Sequence, residues 1–378
     1  MTIQNGLFSI FVYCMTKKIK NKTIYLSIVA LATVLLSRLL GRESAFIEQF
    51  YYRGLFQALR VIYDYTFGLL PIPMMYVFIM VMIFVLFIII KRLFDRSIPL
   101  IKRLFRSGHL LFQTLSILVI IFYWFWGFNY NRQSIESYLE LDSSDLDTTQ
   151  LLQIYDQTHN ILLELRSQFD MNQKMADIQK NPTAYENYCR QSLTYQLDQL
   201  SYPTNGRVRI RSLRPQGSLL RISTAGVYWP FVFEGHIDPG LHPMTWPFTM
   251  SHEMGHGYGF TDEGTCNFLG WLACTTHEDP FIQYSGWIGY FRYLLTNIRR
   301  AISPAQYKNL YDSIDQKLIA DLSDIRNYAM RYPDIMPVIR DVVYDNYLKS
   351  HGVKGGLINY SKIIKLVYAW EKKHYKSK

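Results

Sequence analysis

The stretch PFTMSHEMGHGYGFTDEGTCNFLGWLAC, from Pro247 to Cys274, decides how this chain is interpreted. It contains the pattern HExxH, formed by His252, Glu253 and His256. Residues four apart share one face of a helix, so the two imidazoles can bind one metal ion. Glu253 lies beside them and is the candidate general base for a water molecule bound to that metal. The expected metal cofactor is Zn²⁺.

The residues around the pattern predict a buried helix. Thr245 is a plausible N-cap and Pro247 falls in the first helical turn, where proline is tolerated. Glycines follow the second histidine and are expected to end the helix. The apolar packing positions are Phe248, Met250, Met254 and Tyr258. This context favours a metal site over an ordinary amphipathic helix with two exposed histidines.

A third metal ligand is expected shortly after the glycines. A second helix is predicted from Asp262 to Thr275, and Glu263 opens it. Asn267 lies four residues later on the same face and can orient a ligand through a hydrogen bond. Asp262 is the alternative ligand, because its spacing from His256 along the sequence matches that of a compact zinc site with a glycine turn. The spacing by itself leaves Glu263 and Asp262 both open.

Composition and charge indicate a membrane protein. The 378 residues are 49% hydrophobic and 16% aromatic, and the formal net charge is +10. The basic residues flank apolar runs and do not form a stripe along a soluble domain, so a nucleic-acid partner is not expected. The four cysteines show no CxxC spacing and are expected to be free, buried thiols that do not bind zinc.

Three apolar runs predict transmembrane helices, with the lipid bilayer as partner: Ile24–Leu40, Met74–Ile90 and Leu110–Asn131. Lys and Arg are densest before the first run and between the second and third, which places those flanks in the cytoplasm. The predicted divisions are residues 1–22 as a cytoplasmic N-terminus, 23–131 as the membrane region and 132–378 as an extracytoplasmic domain. Phe46–Phe67 is expected along the outer membrane face, or as the start of a longer second span.

The predicted outer domain is helical with a small sheet. Helices are expected around Leu151–Leu165 and over Tyr185–Leu200, and four more follow the motif. Three short strands precede the motif, at Val208–Ile210, Leu219–Ser223 and Val227–Phe233, with the alternating arginines on a solvated face. The fold class is therefore mainly α: three N-terminal transmembrane helices plus a zincin-like α+β domain with a small sheet.

Two further groups of residues are candidates to line a substrate cleft beside the predicted metal site. Glu234, in the run FEGHIDPG, is either a carboxylate near the cleft or part of a polar turn before a proline. Tyr344, Tyr347 and Tyr360 are candidates to stabilise an oxyanion, because they lie near a glycine turn between two predicted helices.

The chain resembles the bacterial membrane family called domain of unknown function 3810 over nearly its whole length. The central stretch carries this resemblance together with FIEQFYYRGLF (Phe46–Phe56), FYWFWGFNYNR (Phe122–Arg132) and YDNYLKSHGVKGGLINYS (Tyr344–Ser361). The family pattern resembles HExxH followed by E-x-x-A-N, and Glu263 and Asn267 stand at those positions. Cys266 replaces the usual alanine, and Thr265 stands where a second acid is common.

This resemblance implies a zincin-like protein of the bacterial cytoplasmic membrane. A similar glutamate on a second helix supplies the third ligand in gluzincin peptidases, which favours Glu263 over Asp262. The expected function is a membrane-anchored zinc metallopeptidase that hydrolyses a peptide or protein substrate outside the cytoplasm, with the number of subunits left open. A non-catalytic, zinc-stabilised scaffold is the alternative. A transporter is disfavoured, because the spans carry almost no charge.

Overall fold

The computed structural model describes residues 2–41, 44–335 and 362–375. The chain is 74% helical, with three candidate membrane helices near the N-terminus and a three-stranded sheet in the C-terminal part. The prediction of a mainly α chain with three apolar N-terminal helices and a small sheet is therefore confirmed. The chain forms two compact units, which interleave along the sequence. The first comprises Met1–Leu59, Met74–Arg132 and Pro230–Val232; the second comprises Arg60–Pro73, Gln133–Trp229 and Phe233–Lys378.

The first unit contains the three helices that are long and apolar enough to cross a membrane. They are α1 (Thr2–Leu40, with the candidate span at Asn21–Leu40), α4 (Met74–Phe94) and α5 (Leu100–Phe125). The third helix begins ten residues before the predicted Leu110, since the intervening Lys and Arg residues are good helix formers. It ends at Phe125, and a 3₁₀ turn, Gly127–Asn131, follows.

The same unit also holds a short helical segment and one distant turn. Helix α2 (Ser44–Phe46) leads into a π-helical stretch, Ile47–Phe56, and then helix α3 (Gln57–Asp64), whose residues from Arg60 onward belong to the second unit. The turn Pro230–Val232 packs against the spans through Phe231. Its ring centroid lies 5.1 Å from that of Phe78 and 6.3 Å from that of Phe122.

The second unit is built from helices around one small sheet. Before the sheet come α6 (Ile135–Tyr138), α7 (Thr148–Arg166), α8 (Met171–Lys180) and α9 (Pro182–Gln199). After the sheet come α10 (Trp246–Gly257), α11 (Glu263–Thr275), α12 (Pro280–Ala301), α13 (Pro304–Asp312), α14 (Gln316–Met330) and α15 (Lys362–Tyr375). The sequence predicts one helix over Pro304–Tyr328, but the structure has the two helices α13 and α14 there, because Ser303 and Asp315 cap them separately.

The sheet contains β1 (Arg209–Ser212), β2 (Gly226–Trp229) and β3 (Glu234–Ile237) in the order β1-β3-β2. Strand β3 pairs parallel to β1 and antiparallel to β2. Two strand predictions were wrong here. The predicted strand Leu219–Ser223 is a 3₁₀ turn over Leu220–Ile222, and the run after Val227 breaks at Trp229 and resumes as β3.

Asp238 explains the first of these errors. Its buried carboxylate accepts hydrogen bonds from the backbone N–H groups of Gly217, Leu219, Leu220 and Gly240 at 2.7–3.0 Å. A carboxylate that bonds several backbone donors offers the chain an alternative to a strand ladder. The segment around Leu219 therefore folds as a loop around this aspartate, although its apolar residues favour a strand.

The segment Arg60–Pro73 is part of the second unit through buried polar contacts. Arg60 is fully buried; it donates to Tyr228 Oη at 2.6 Å and to the Phe233 carbonyl at 3.1 Å, and it pairs with Asp64 at 3.4 Å. Asp64 in turn accepts from the Arg207 backbone N–H at 2.7 Å. These contacts tie the residues after the first span to the sheet.

The arginines of β1 belong to the same network, which corrects the prediction of a solvated face. Arg209 and Arg211 both donate to the Gly68 carbonyl at 3.0 Å. Arg209 also pairs with Glu186 and Arg211 with Glu234, each at 2.9 Å. Their side chains are 13% and 10% exposed, so the alternating charges are paired and largely covered.

Replacing Arg60 by methionine is expected to lower the midpoint of thermal unfolding of the detergent-solubilised protein by roughly 10 °C, because breaking a buried pair leaves Asp64 uncompensated. Lys308→Ala breaks the pair between Lys308 and Asp312, which is 76% and 58% exposed, and serves as the control with little expected change. If the two variants had the same midpoint of thermal unfolding, this would contradict the conclusion that Arg60 stabilises the contact between its segment and the sheet.

Candidate metal centre

The two motif helices begin and end where local sequence requires it. Helix α10 starts at Trp246 with Pro247 in its first turn; Thr245 precedes it, but its side chain makes no capping hydrogen bond. Gly259 then adopts a φ of +89°, a left-handed conformation that suits glycine and separates the helices. Helix α11 starts at Glu263, one residue after the predicted start.

Glycines allow the two helices to approach closely. A Cβ on Gly255 would lie 3.2 Å from Cys266 Sγ, and a Cβ on Gly270 would lie 3.3 Å from the His252 backbone nitrogen. On the other side of α10, a Cβ on Gly257 would lie 2.3 Å from a Val208 methyl. All twelve residues of α10 are buried, so each larger side chain at these positions would push apart elements that the site needs close together.

Helices α10 and α11 bring His252, His256 and Glu263 together. Glu263 Oε2 lies 3.2 Å from His252 Nε2 and 3.5 Å from His256 Nε2, and all three ligand atoms lie within 4.8 Å of one another. Tetrahedral zinc with bonds of about 2.0–2.1 Å requires ligand atoms about 3.3–3.4 Å apart. The spacing of these donors therefore fits a zinc ion.

Hydrogen bonds orient both imidazoles for metal binding. His252 Nδ1 lies 2.8 Å from Asn267 Oδ1, and His256 Nδ1 lies 2.8 Å from the Phe260 carbonyl oxygen. Because both partners are acceptors, each Nδ1 carries the proton, and in the neutral ring Nε2 keeps its lone pair. Tyr293 on α12 supports this arrangement by donating to Asn267 Oδ1 at 3.3 Å.

Asp262 has a different role from Glu263. Its carboxylate caps α11 by accepting from the Thr265 N–H and hydroxyl, both at 2.8 Å. It also pairs with Lys362 Nζ at 3.1 Å. The structure therefore places Glu263 with the two histidines and uses the neighbouring acid to begin the helix.

Glu253 lies beside the triad with its carboxylate buried against the sheet. It accepts a hydrogen bond from the Tyr228 backbone, and its Oε2 has no hydrogen-bond partner among the described residues. A Cβ on Gly226 would come within 2.7 Å of Glu253 Oε1, and a Cβ on Gly235 within 3.2 Å of Glu253 Cβ. The sequence interpretation missed Gly226, Gly235 and Tyr228, although a glycine within a short strand indicates a close backbone approach.

Burial and mutual charge set the protonation of the cluster. Burial raises the pKa of Glu253 above its usual value. Burial alone would lower the pKa of His256, but the neighbouring Cys266 and Glu263 raise it well above its usual value. Burial would raise the pKa of Glu263. The charge of His256 and hydrogen bonds from both histidines nevertheless hold this pKa well below its usual value. The metal-free cluster is thus a protonated imidazole facing a carboxylate.

The cysteines lie outside the donor set. Burial raises the pKa of Cys266 to about 11, so this thiol stays protonated at neutral pH, and it contacts His256 at Nδ1 (3.3 Å), away from the face turned to Glu263. Cys189 and Cys274 are also buried and free.

Glu234 is not part of this cluster, and the other predicted cleft residues fall outside the described ranges. Glu234 is fully buried and pairs with Arg211 on the far side of the sheet from Glu253, so the structure does not place it in the cleft. Strand alternation explains this: Gly235 faces α10, and its neighbour Glu234 must face away. Tyr344, Tyr347 and Tyr360 lie outside the described residues.

Within the described residues, the fold and this cluster define a protein with three candidate membrane helices and a buried His–His–Glu site. The chain belongs to the family described as "Protein of unknown function (DUF3810)", whose model matches residues 51–368. This match covers α10, α11 and the second and third spans. Comparison with curated proteins and with solved structures gives no match.

A divalent cation that binds this cluster must displace the proton held by His256, so its affinity is expected to rise with pH. Competition with a chromophoric chelator should show zinc affinity increasing by about tenfold per pH unit between pH 6 and 8 for each proton released. Calorimetry in buffers of different ionisation enthalpy counts those protons. A zinc affinity that does not change over this range would contradict the assignment.

Proposed function

We propose that this protein is a membrane-anchored, zinc-dependent peptidase. The observation that carries the proposal is the joint placement of three zinc-type donors and a buried glutamate on one helix pair. His252, His256 and Glu263 would hold the ion. Zinc bound there supplies Lewis acidity to a peptide carbonyl and to the attacking water.

Glu253 would perform the proton transfers. Its buried carboxylate would accept a proton from the water that attacks the peptide carbon, and would then donate that proton to the departing amine. The raised pKa of Glu253 suits both steps, because it brings the carboxyl group closer to the working pH. The hydrogen bond from the Tyr228 backbone fixes where the carboxylate points.

The sheet would position the substrate. Among the residues that the structure describes, strand β2 pairs only with β3, and it contacts Glu253 through Gly226 and Tyr228. An extended peptide that adds to this edge would pass next to the general base. Backbone pairing of this kind gives affinity with little dependence on side chains, which is compatible with a protein substrate.

We further propose that the second unit lies outside the cytoplasm of a bacterial cell. Six basic residues separate the second and third apolar runs: Lys91, Arg92, Arg96, Lys102, Arg103 and Arg106. Positive loops of this kind stay on the cytoplasmic side, which supports the opposite side for the chain after the third span.

Glu253→Gln is expected to keep zinc and to lower peptide hydrolysis by roughly 10²–10⁴-fold, since the amide cannot accept the proton. Zinc content by mass spectrometry and cleavage of a quenched peptide library would be measured on the same full-length preparation. Glu278→Gln, a change at an exposed residue after α11, is the matched control and should retain activity. Hydrolysis by the Glu253 variant at the parent rate would refute the mechanism.

A further inference from the structure

The residues that join the first and second spans form an apolar surface on the second unit. Within Arg60–Pro73, six large apolar side chains are exposed by 42% to 62%: Ile62, Tyr65, Phe67, Leu69, Leu70 and Ile72. Isolated exposed apolar residues are ordinary, but six among eleven positions form a patch that water does not favour. We call these residues the apolar rim.

The backbone of the apolar rim is rigidly attached to the sheet. Gly68 and Leu70 accept hydrogen bonds from Arg209 and Arg211, and the buried Arg60 and Asp64 hold the start of the segment. The rim is therefore a fixed part of the second unit, and the position of its side chains follows the position of the sheet.

The occupant of the apolar rim follows from the chain itself. Pro73 is followed directly by Met74, the first residue of the second candidate span. Exposed Tyr, Phe, Leu and Ile at the end of a span are the residues that enter the interface of a bilayer. The lipid bilayer therefore covers the rim.

The same sheet separates the apolar rim from the candidate metal centre. Arg209 and Arg211 reach the rim from one face of β1, whereas Ile210 and Gly235 face Glu253 from the other. One layer of sheet is about 10 Å thick. Glu253 and the backbone of the rim are therefore separated by about this thickness.

A second limit on this distance is covalent and holds for any arrangement of the two units. Phe231 packs on Phe78, the fifth residue of the second span. The backbone from Phe231 to Gly226 has five steps and reaches at most about 18 Å. Gly226 contacts Glu253. The general base therefore lies within about 20 Å of a residue that packs on a span.

We infer that the substrates of this site are membrane-anchored polypeptides, cut within a short distance of the bilayer surface. The inference rests on the proposed peptidase function and adds the substrate class. A chain that leaves the bilayer extends by about 3.3 Å per residue, so it can span this distance and reach the site within roughly its first six residues.

The position of the apolar rim can be measured without activity. The full-length protein with Leu69→Cys, in a Cys14→Ser background, is reconstituted in vesicles and labelled with a nitroxide. A nitroxide in lipid collides more often with dissolved oxygen than with a water-soluble nickel chelate, and this result is expected at position 69. Tyr195→Cys, at a residue of the second unit that is 62% exposed, is the control and should show the reverse. A water-like signal at Leu69 would overturn the inference while the peptidase proposal stands.

The substrate class is tested with a peptide of repeated sequence, so that its possible cleavage sites differ only in their distance from the anchor. It consists of about ten copies of one unstructured unit of about eight residues, attached to a lipid anchor at one end. The zinc-loaded protein in the same vesicles is expected to cut the first two copies about tenfold more often than the last two, and to cut the free peptide evenly. Glu253→Gln should abolish all cuts.

The possible results separate the two proposals. Even cutting along the anchored peptide would overturn the membrane-proximal substrate class and leave the peptidase function intact. An absence of cutting in both the anchored and the free peptide would overturn the peptidase function, and this inference with it.

Discussion

The contact of one carboxylate oxygen with two imidazoles is the interaction on which the site depends. Glu263 Oε2 faces the Nε2 atoms of His252 and His256 from the first turn of α11. Three ionisable groups in a buried place are unfavourable unless their charges are compensated. A shared proton or a divalent cation provides that compensation, and either one holds α10 against α11.

The rest of the site follows from keeping this contact short. Gly255 and Gly270 let the helices cross closely, and Gly259 makes the turn between them. Glycine inside a helix costs about 1 kcal/mol of stability in exposed positions, but here the helix is buried and the missing side chains permit the approach. Asn267 and Phe260 then determine which imidazole nitrogen faces the ligand position.

The motif helices and the triad could be predicted from sequence because their signals are local. Proline near the start, glycine at the turn and a four-residue repeat of histidines all fall between Pro247 and Cys274. The choice between Asp262 and Glu263 needed more than spacing, because a helix cap and a metal ligand both favour an acid at a helix start. The structure separates the two acids by their partners.

The sheet was harder to predict because long-range partners determine it. The segment near Leu219 has the apolar pattern of a strand, but Asp238 takes its backbone donors. The sequence predicts Glu234 either near the cleft or in a polar turn, yet it lies in β3, the central strand, where Arg211 compensates its buried charge. The role of Arg60–Pro73 depends on contacts between residues that are 141 and 143 positions apart along the chain, which no local pattern reports.

The closeness of the donors in sequence has a consequence for the order of folding. His252 and Glu263 are eleven positions apart, so a helical hairpin of α10 and α11 contains every side chain of the triad. Contacts between near neighbours form early, because little chain entropy opposes them. The surroundings of Glu253 also require strands β2 and β3. The sheet that these strands form in turn contacts the segment Arg60–Pro73, which is distant from it in the sequence. The three donors can therefore meet before the surroundings of Glu253 are complete, and a zinc ion that binds as proposed would be held by a chain that has not yet positioned this carboxylate.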